Sequence, residues 1–136
     1  MIQNRSVPAS SVIPVLAYAD VIEASDWLCE AFGFKERLRI GDHRAQLVFA
    51  DGAVILTRLA APAASDTATH SVHVRVEHAD LHHEQSSNRG AKILQPPTDF
   101  PYGERQYGAE DLGGHHWVFS QSIADVDPAS WGGTLR

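Results

Sequence analysis

A chain of 136 residues with 43% hydrophobic and 21% charged side chains fits one domain, or two very small modules, and is too apolar to stay disordered. Seventeen acids against eleven Lys and Arg give a net charge of −6 without a basic cluster. That balance argues against nucleic acid and anionic membranes and mildly favours a cationic ligand. The single cysteine, Cys29, removes intrachain disulfides and cysteine zinc sites, and suits a reducing cytoplasm.

In chain order, Val12–Ala19 imitates a signal peptide ending in Ala-x-Ala. The stretch is short, contains Pro14 and follows a weakly charged leader. It also falls far below the roughly 20 residues that span a bilayer. It reads instead as a first strand, 12–19. Asp20 is a good N-cap, with Glu23 completing a capping box. A helix over 21–32 places Val21, Ala24, Trp27, Leu28 and Ala31 on one face, and Gly33 stops it. Strands follow at 35–40, 43–50 and 53–58, with turns at Gly41-Asp42 and Asp51-Gly52. Residues 59–69 read as a linker.

From Ser71 to Glu77 the chain alternates, with Val72, Val74 and Val76 on one side and Ser71, His73 and Arg75 on the other. A helix over 80–89 precedes strands at 91–95, 104–110 and 115–121, with Pro96–Pro101 as a rigid loop. Asp127-Pro128 can cap a last helical turn carrying Trp131, which packs either on its own sheet or on a partner subunit. Asp20 and Asp80, like Asp51 and Asp111, are 60 residues apart, so the strand-helix-three-strand order reads as a duplication.

This βαβββ duplication resembles the vicinal oxygen chelate superfamily of glyoxalase I, extradiol dioxygenases, fosfomycin-resistance enzymes and bleomycin-resistance proteins. The resemblance rests on Pro14–Asp20 with Ala31–Phe34, and on Gln95–Tyr107 with Asp111–Gln121. The second stretch is similar to the small glyoxalase-like, PhnB-like members. The implied fold is α+β: two tandem βαβββ modules whose curled mixed sheets surround a cavity, with the helices outside. Residues 1–136 then form one domain, with module one at 12–58, the linker at 59–69, module two at 70–121 and a tail at 122–136. Metal-dependent relatives place His, Glu or Gln at four inner strand positions, which fall here at Ile13, Ile55, Ser71 and Val118. Shifting the register by one residue adds only His70 as a ligand. The resemblance therefore implies no metal and no cofactor, which counts against glyoxalase, dioxygenase and thiol-transferase chemistry.

The valines claim the helix side of their strand, so Ser71, His73 and Arg75 should face the cavity. Arg75 either meets a ligand or pairs with Glu104 or Glu110. On the next-to-last strand one pair lines the cavity, Arg105 with Tyr107 or Glu104 with Gln106, and the first pair is favoured. His116 points inward on the last strand, while Gln46 with Arg44 is the counterpart in module one. His78 and His82 have a spacing that can bind metal on a helix, although a surface position is favoured. Cys29 lacks a nearby base and reads as structural.

The expected function is metal-free binding of a small organic molecule, by resemblance a drug- or metabolite-sequestering, antibiotic-resistance role in a cytoplasmic homodimer. The alternative is a lactoylglutathione-lyase-like lyase or isomerase, or a dioxygenase with a non-standard site. His73 or His116 would then be the base, and Arg75 or Arg105 would hold an anion. A scaffold domain with a collapsed cavity is the third reading.

Overall fold

The computed structural model describes residues 4–59 and 70–135; the expected linker, apart from Leu59, lies outside them. The chain forms two compact units that meet in sequence near residue 67. Module one runs β1 (Val15–Tyr18), α1 (Val21–Phe32), β2 (Lys35–Ile40), β3 (Arg44–Phe49) and β4 (Gly52–Arg58). Module two runs β5 (Val72–Arg75), α2 (Ala79–Asn88), β6 (Lys92–Phe100), β7 (Glu104–Glu110) and β8 (His116–Ser122). A 3₁₀ turn over Pro128–Trp131 follows. The sheet orders, β1-β4-β3-β2 and β5-β8-β7-β6, are the same, and in each the first strand is parallel to the fourth while the other pairs are antiparallel. The α+β class and the duplicated βαβββ order are therefore present. No helix among the described residues is long and apolar enough to cross a membrane.

Local chemistry explains most boundaries. Asp20 Oδ1 accepts from the Glu23 N–H at 3.0 Å, and Gly33 closes α1 in the left-handed region with its N–H on Cys29 O. The second helix starts earlier than expected, with His78 rather than Asp80 at the N-cap position. Its first N–H, on Ala79, is capped by Gln121 Oε1 of β8 at 2.9 Å. The helix starts are thus 58 residues apart, and Asp80 sits in the first turn. At the β3–β4 turn the left-handed residue is Ala50, not Gly52.

All of the expected Pro96–Pro101 loop except Pro101 is instead the second half of β6, which is an edge strand of its sheet. Its register with β7 slips between Ile93 and Gln95 and again between Gln95 and Thr98. Proline has no N–H to give a ladder, so an edge with bulges is where a strand tolerates it.

Each sheet buries one face under its helix. Module one packs Leu16, Tyr18, Leu47, Val54 and Leu56 against Val21, Ala24, Leu28, Ala31 and Phe32. Trp27, expected in this core, is only half-buried, its edge against Phe32 at 5.0 Å, and Ser25 takes the buried position with its hydroxyl on Glu36 at 3.0 Å. Module two buries Trp117, Phe119, Tyr107 and Ala109 beneath α2. Asp111 anchors its last hairpin: Oδ1 accepts from the Gly113 and His115 N–H groups and Oδ2 from Trp117 Nε1, at 2.9–3.0 Å.

Candidate functional site

Strand pleating assigns the remaining side chains, because paired residues point to the same face. In module two His73 pairs with Val118, Arg75 with Ser120, and Ser120 with Gln106. Their other neighbours, Val72 with Trp117 and Val74 with Phe119, belong to the helix side. His73, Arg75, Glu104, Gln106, Glu110, His116, Val118 and Ser120 therefore line the face away from α2. Ser71 immediately precedes the strand at the same alternation.

Glu104 is the hub of this face. Its Oε1 accepts from Ser120 Oγ at 2.5 Å and Gln106 Nε2 at 3.2 Å, and lies 3.5 Å from His73 Nε2. The Ser120 hydrogen bond, above all, holds its carboxyl below the usual glutamate range, with Gln106 and His73 adding to the effect against partial burial. A second pair stands nearby in the register: His116 Nε2 lies 3.2 Å from Glu110 Oε1, whose other oxygen is 3.6 Å from Lys92 Nζ. Both carboxylates considered for Arg75 are thus engaged by histidines. Arg75 itself is exposed and has no polar partner among the described residues.

Two expected residues stand on the opposite face. Tyr107 pairs with Phe119 and is fully buried under α2, its hydroxyl 2.5 Å from His82 Nδ1 and 3.0 Å from Ser86 Oγ. Burial drives its hydroxyl to a strongly raised pKa, against the smaller lowering effect of the Ser86 hydrogen bond. Arg105 pairs with Gln121 and is clamped between Asp80 of α2 and Asp99 of β6, each at 2.9 Å. The open face of β7 therefore carries Glu104 and Gln106, not Arg105 and Tyr107. The signal was present in the sequence: Phe119 reads as a helix-side residue, and the antiparallel partner of Phe119 shares its side. His82 is half-buried, packs on Phe119 at 4.2 Å and bonds Tyr107. Trp131 packs within its own module, edge-on to Tyr102 at 5.8 Å, and Tyr102 stacks on Phe100.

In module one Gln46 pairs with Ile55 and so lies on the face away from α1. It is only 3% exposed, because its carboxamide is used internally: Oε1 accepts from Arg37 Nη1, and Nε2 donates to Ser6 O at 2.8 Å. Arg37, which sequence reasoning missed, occupies the bulge between Glu36 and Leu38 and donates its other nitrogen to Arg5 O at 3.2 Å. Beside α1 lies a groove of about 630 Å³ lined by Ile22, Trp27 and carboxylates including Glu23, Asp26 and Glu30. It adjoins the helix and is built from none of the expected site residues.

The donor set does not fit the metal of metal-dependent relatives. Ile55 and Val118 hold open-face positions in their sheets, Ile13 is aliphatic too, and Ser71 alone offers an oxygen. Among the described residues no three His, Cys, Asp or Glu converge. Neutral hydrocarbon at such positions cannot coordinate a divalent ion.

Comparison with known proteins agrees with this topology. The family model described as Glyoxalase/Bleomycin resistance protein/Dioxygenase superfamily matches residues 12–119. TioX from Micromonospora sp. ML1 is 36% identical, with a TM-score of 0.67 over 85% of this chain and 100% of its own. The bleomycin-binding protein of Streptomyces verticillus, solved with copper(II)-bleomycin, is 20% identical, with a TM-score of 0.65 over 85% and 98% of the two chains. The fosfomycin resistance protein FosX of Listeria monocytogenes is 12% identical, with a TM-score of 0.69 over 85% and 92%. These last two likenesses concern the fold. No curated protein sequence matches the chain.

Proposed function

Because the chain belongs to the Glyoxalase/Bleomycin resistance protein/Dioxygenase superfamily, we propose that it binds a small organic molecule, without a metal, on the open face of module two. The observation that carries this reading is the aliphatic Val118 at one of the ligand positions, set on the same open face as a row of hydrogen-bonding groups, His73, Arg75, Gln106 and His116. A site of this kind can orient a ligand through hydrogen bonds and charge, while a Lewis acid has nowhere to sit. Arg75 is the group to meet an acceptor on the ligand, and Glu104, kept ionised, the group to meet a donor or cation. Ser71 extends the same row. Sequestration, as in bleomycin binding, and a cytoplasmic homodimer belong to the same proposal.

The test combines metal analysis of the purified protein with calorimetric titration of metal-free bleomycin. Expected are substoichiometric metal, saturable binding, and a loss of about tenfold or more in affinity for Arg75→Ala, as for removing a charge-assisted hydrogen bond. Stoichiometric zinc, nickel, manganese or iron with turnover of a glutathione hemithioacetal would overturn the reading in favour of a lyase.

A further inference from the structure

Module two sets an imidazole beside a carboxylate at each end of β7. His73 Nε2 of β5 lies 3.5 Å from Glu104 Oε1, and His116 Nε2 of β8 lies 3.2 Å from Glu110 Oε1. The other charges of the open face are few. β5 adds Arg75, β6 adds Lys92 through its pairing with Glu110, and β8 adds none. Asp99 and Arg105 pair with each other on the helix side. His70 and His115, whose rings lie 6.0 Å apart, follow the helix-side alternation. Among the described residues Arg75 and Lys92 thus balance Glu104 and Glu110, and the face is neutral while both of its histidines are.

Histidine is the side chain that changes charge near neutrality, so two protons turn this neutral face into one with two positive charges. Glu104 stays ionised meanwhile, because Ser120 above all holds its carboxyl below the usual glutamate range. Its Oε1 takes Ser120, Gln106 and His73, which leaves Oε2 as the oxygen for a ligand. Glu110 divides its oxygens between His116 and Lys92. An imidazolium at either carboxylate cancels the charge that a ligand cation would meet, so proton and cation oppose each other at one group. The His73 side chain is 54% exposed and that of His116 34%, so the exchange needs no opening of the fold.

We infer that protons gate this face: with His73 and His116 neutral it holds organic cations, and with both protonated it releases cations and takes organic anions. The inference rests on the binding reading above and adds its regulation. Linkage fixes the sign. Cations bind most tightly above the histidine range and more weakly as pH falls through it, and a bound cation expels protons by the same factor. Glu104 and Glu110 stand at the two ends of one strand, about 20 Å apart by its rise and beyond a screening length of about 8–10 Å. Each pair therefore exchanges its own proton, and a ligand that reaches one carboxylate releases one proton.

The probe is metal-free bleomycin, a cation, titrated calorimetrically into the full-length protein from about pH 8 to about pH 5.5, with buffers of unequal ionisation heat to count released protons. The wild type is expected to lose at least about tenfold in affinity over that range, the equivalent of one pKa unit. His73→Gln and His116→Gln should each remove part of that loss and of the proton release, and the double variant should remove both. The ionisation of bleomycin itself is common to all four proteins and drops out of the comparison. Anilinonaphthalene sulfonate, an anion throughout, should bind more tightly at the acid end, and the double variant should abolish that rise. Nitrogen NMR of the unmutated chain checks the exchange without substitution: bleomycin should drive both rings toward the neutral form. Bleomycin binding whose pH dependence the double variant keeps, rings that bleomycin leaves unmoved, or a dye that gains nothing in acid overturns the inference and leaves the binding reading standing. No saturable bleomycin binding at any pH overturns that reading, and the inference with it.

Discussion

The two modules share a strand order and differ in how each holds its helix. α1 buries Val21, Ala24, Leu28, Ala31 and Phe32 and is capped by its own Asp20. α2 buries only Ala79 and Ser86 and is held by polar links to the sheet: Gln121 to the Ala79 N–H, Tyr107 to His82 and Ser86, and Arg105 to Asp80. One backbone plan is thus stabilised by hydrophobic transfer in the first case and by satisfied hydrogen bonds in the second. Apolar burial tolerates small displacements, whereas a hydrogen-bond network fixes the helix at particular atoms.

The largest expected contrast is between two leucines. Leu28→Ala in α1, at a side chain with no exposed surface, should cost about 2–5 kcal/mol in urea unfolding. Leu81→Ala in α2, at a residue 63% exposed, should stay within about 0.5 kcal/mol. Similar losses at both sites would break the comparison.

Tyr107→Phe comes next. Removing the hydroxyl leaves His82 Nδ1 without that partner and should cost about 1–3 kcal/mol of stability. Affinity for a module-two ligand should not change, since Tyr107 lies on the helix side. A tenfold affinity loss with unchanged stability would return Tyr107 to the binding face.

The smallest effect concerns Ser120→Ala. Glu104 titrates below its unfolded value, so its contribution to stability is present above the ordinary glutamate pKa and is lost as pH falls through the lowered folded one. Deleting the Ser120 hydroxyl removes the main cause of that lowering. Carboxyl-detected NMR should show the Glu104 titration moving up toward a free glutamate, and the acid-side loss of stability should shrink with it. An unmoved titration would assign the lowering to Gln106 and His73.

Much of this architecture was legible in the sequence. The Asp20 cap, the Gly33 stop, and the valine alternation that sends His73 and Arg75 away from the helix are local signals, and local signals are what sequence periodicity carries. The face of β7 was not legible from β7 alone. Gly108 and Ala109 give it no apolar alternation, and the polar α2 offers no stripe to say which side it covers. Tyr107 fills that interface because its hydroxyl satisfies His82 and Ser86, a pairing across 25 and 21 residues that no short window contains. Glu104 was weighed and set aside for the same reason. The contacts of Arg5 and Ser6 with Arg37 and Gln46 were invisible for another: they use backbone carbonyls, which every residue has, and leave no compositional trace. Pro96 and Pro97 misled in the opposite direction, because proline marks loops more often than strand edges.

Those two prolines carry a consequence for life at high concentration. A sheet margin is a template on which another molecule's backbone can grow, and each amide hydrogen along it is a rung for the newcomer. Amides along a strand point alternately outward and toward its partner, so the adjacent Pro96 and Pro97 leave a missing rung on the open side, and the slipped pairing around them bends what remains. The margin of β6 is thereby a poor seed for runaway polymerisation, a protection that the ligand face neither supplies nor needs.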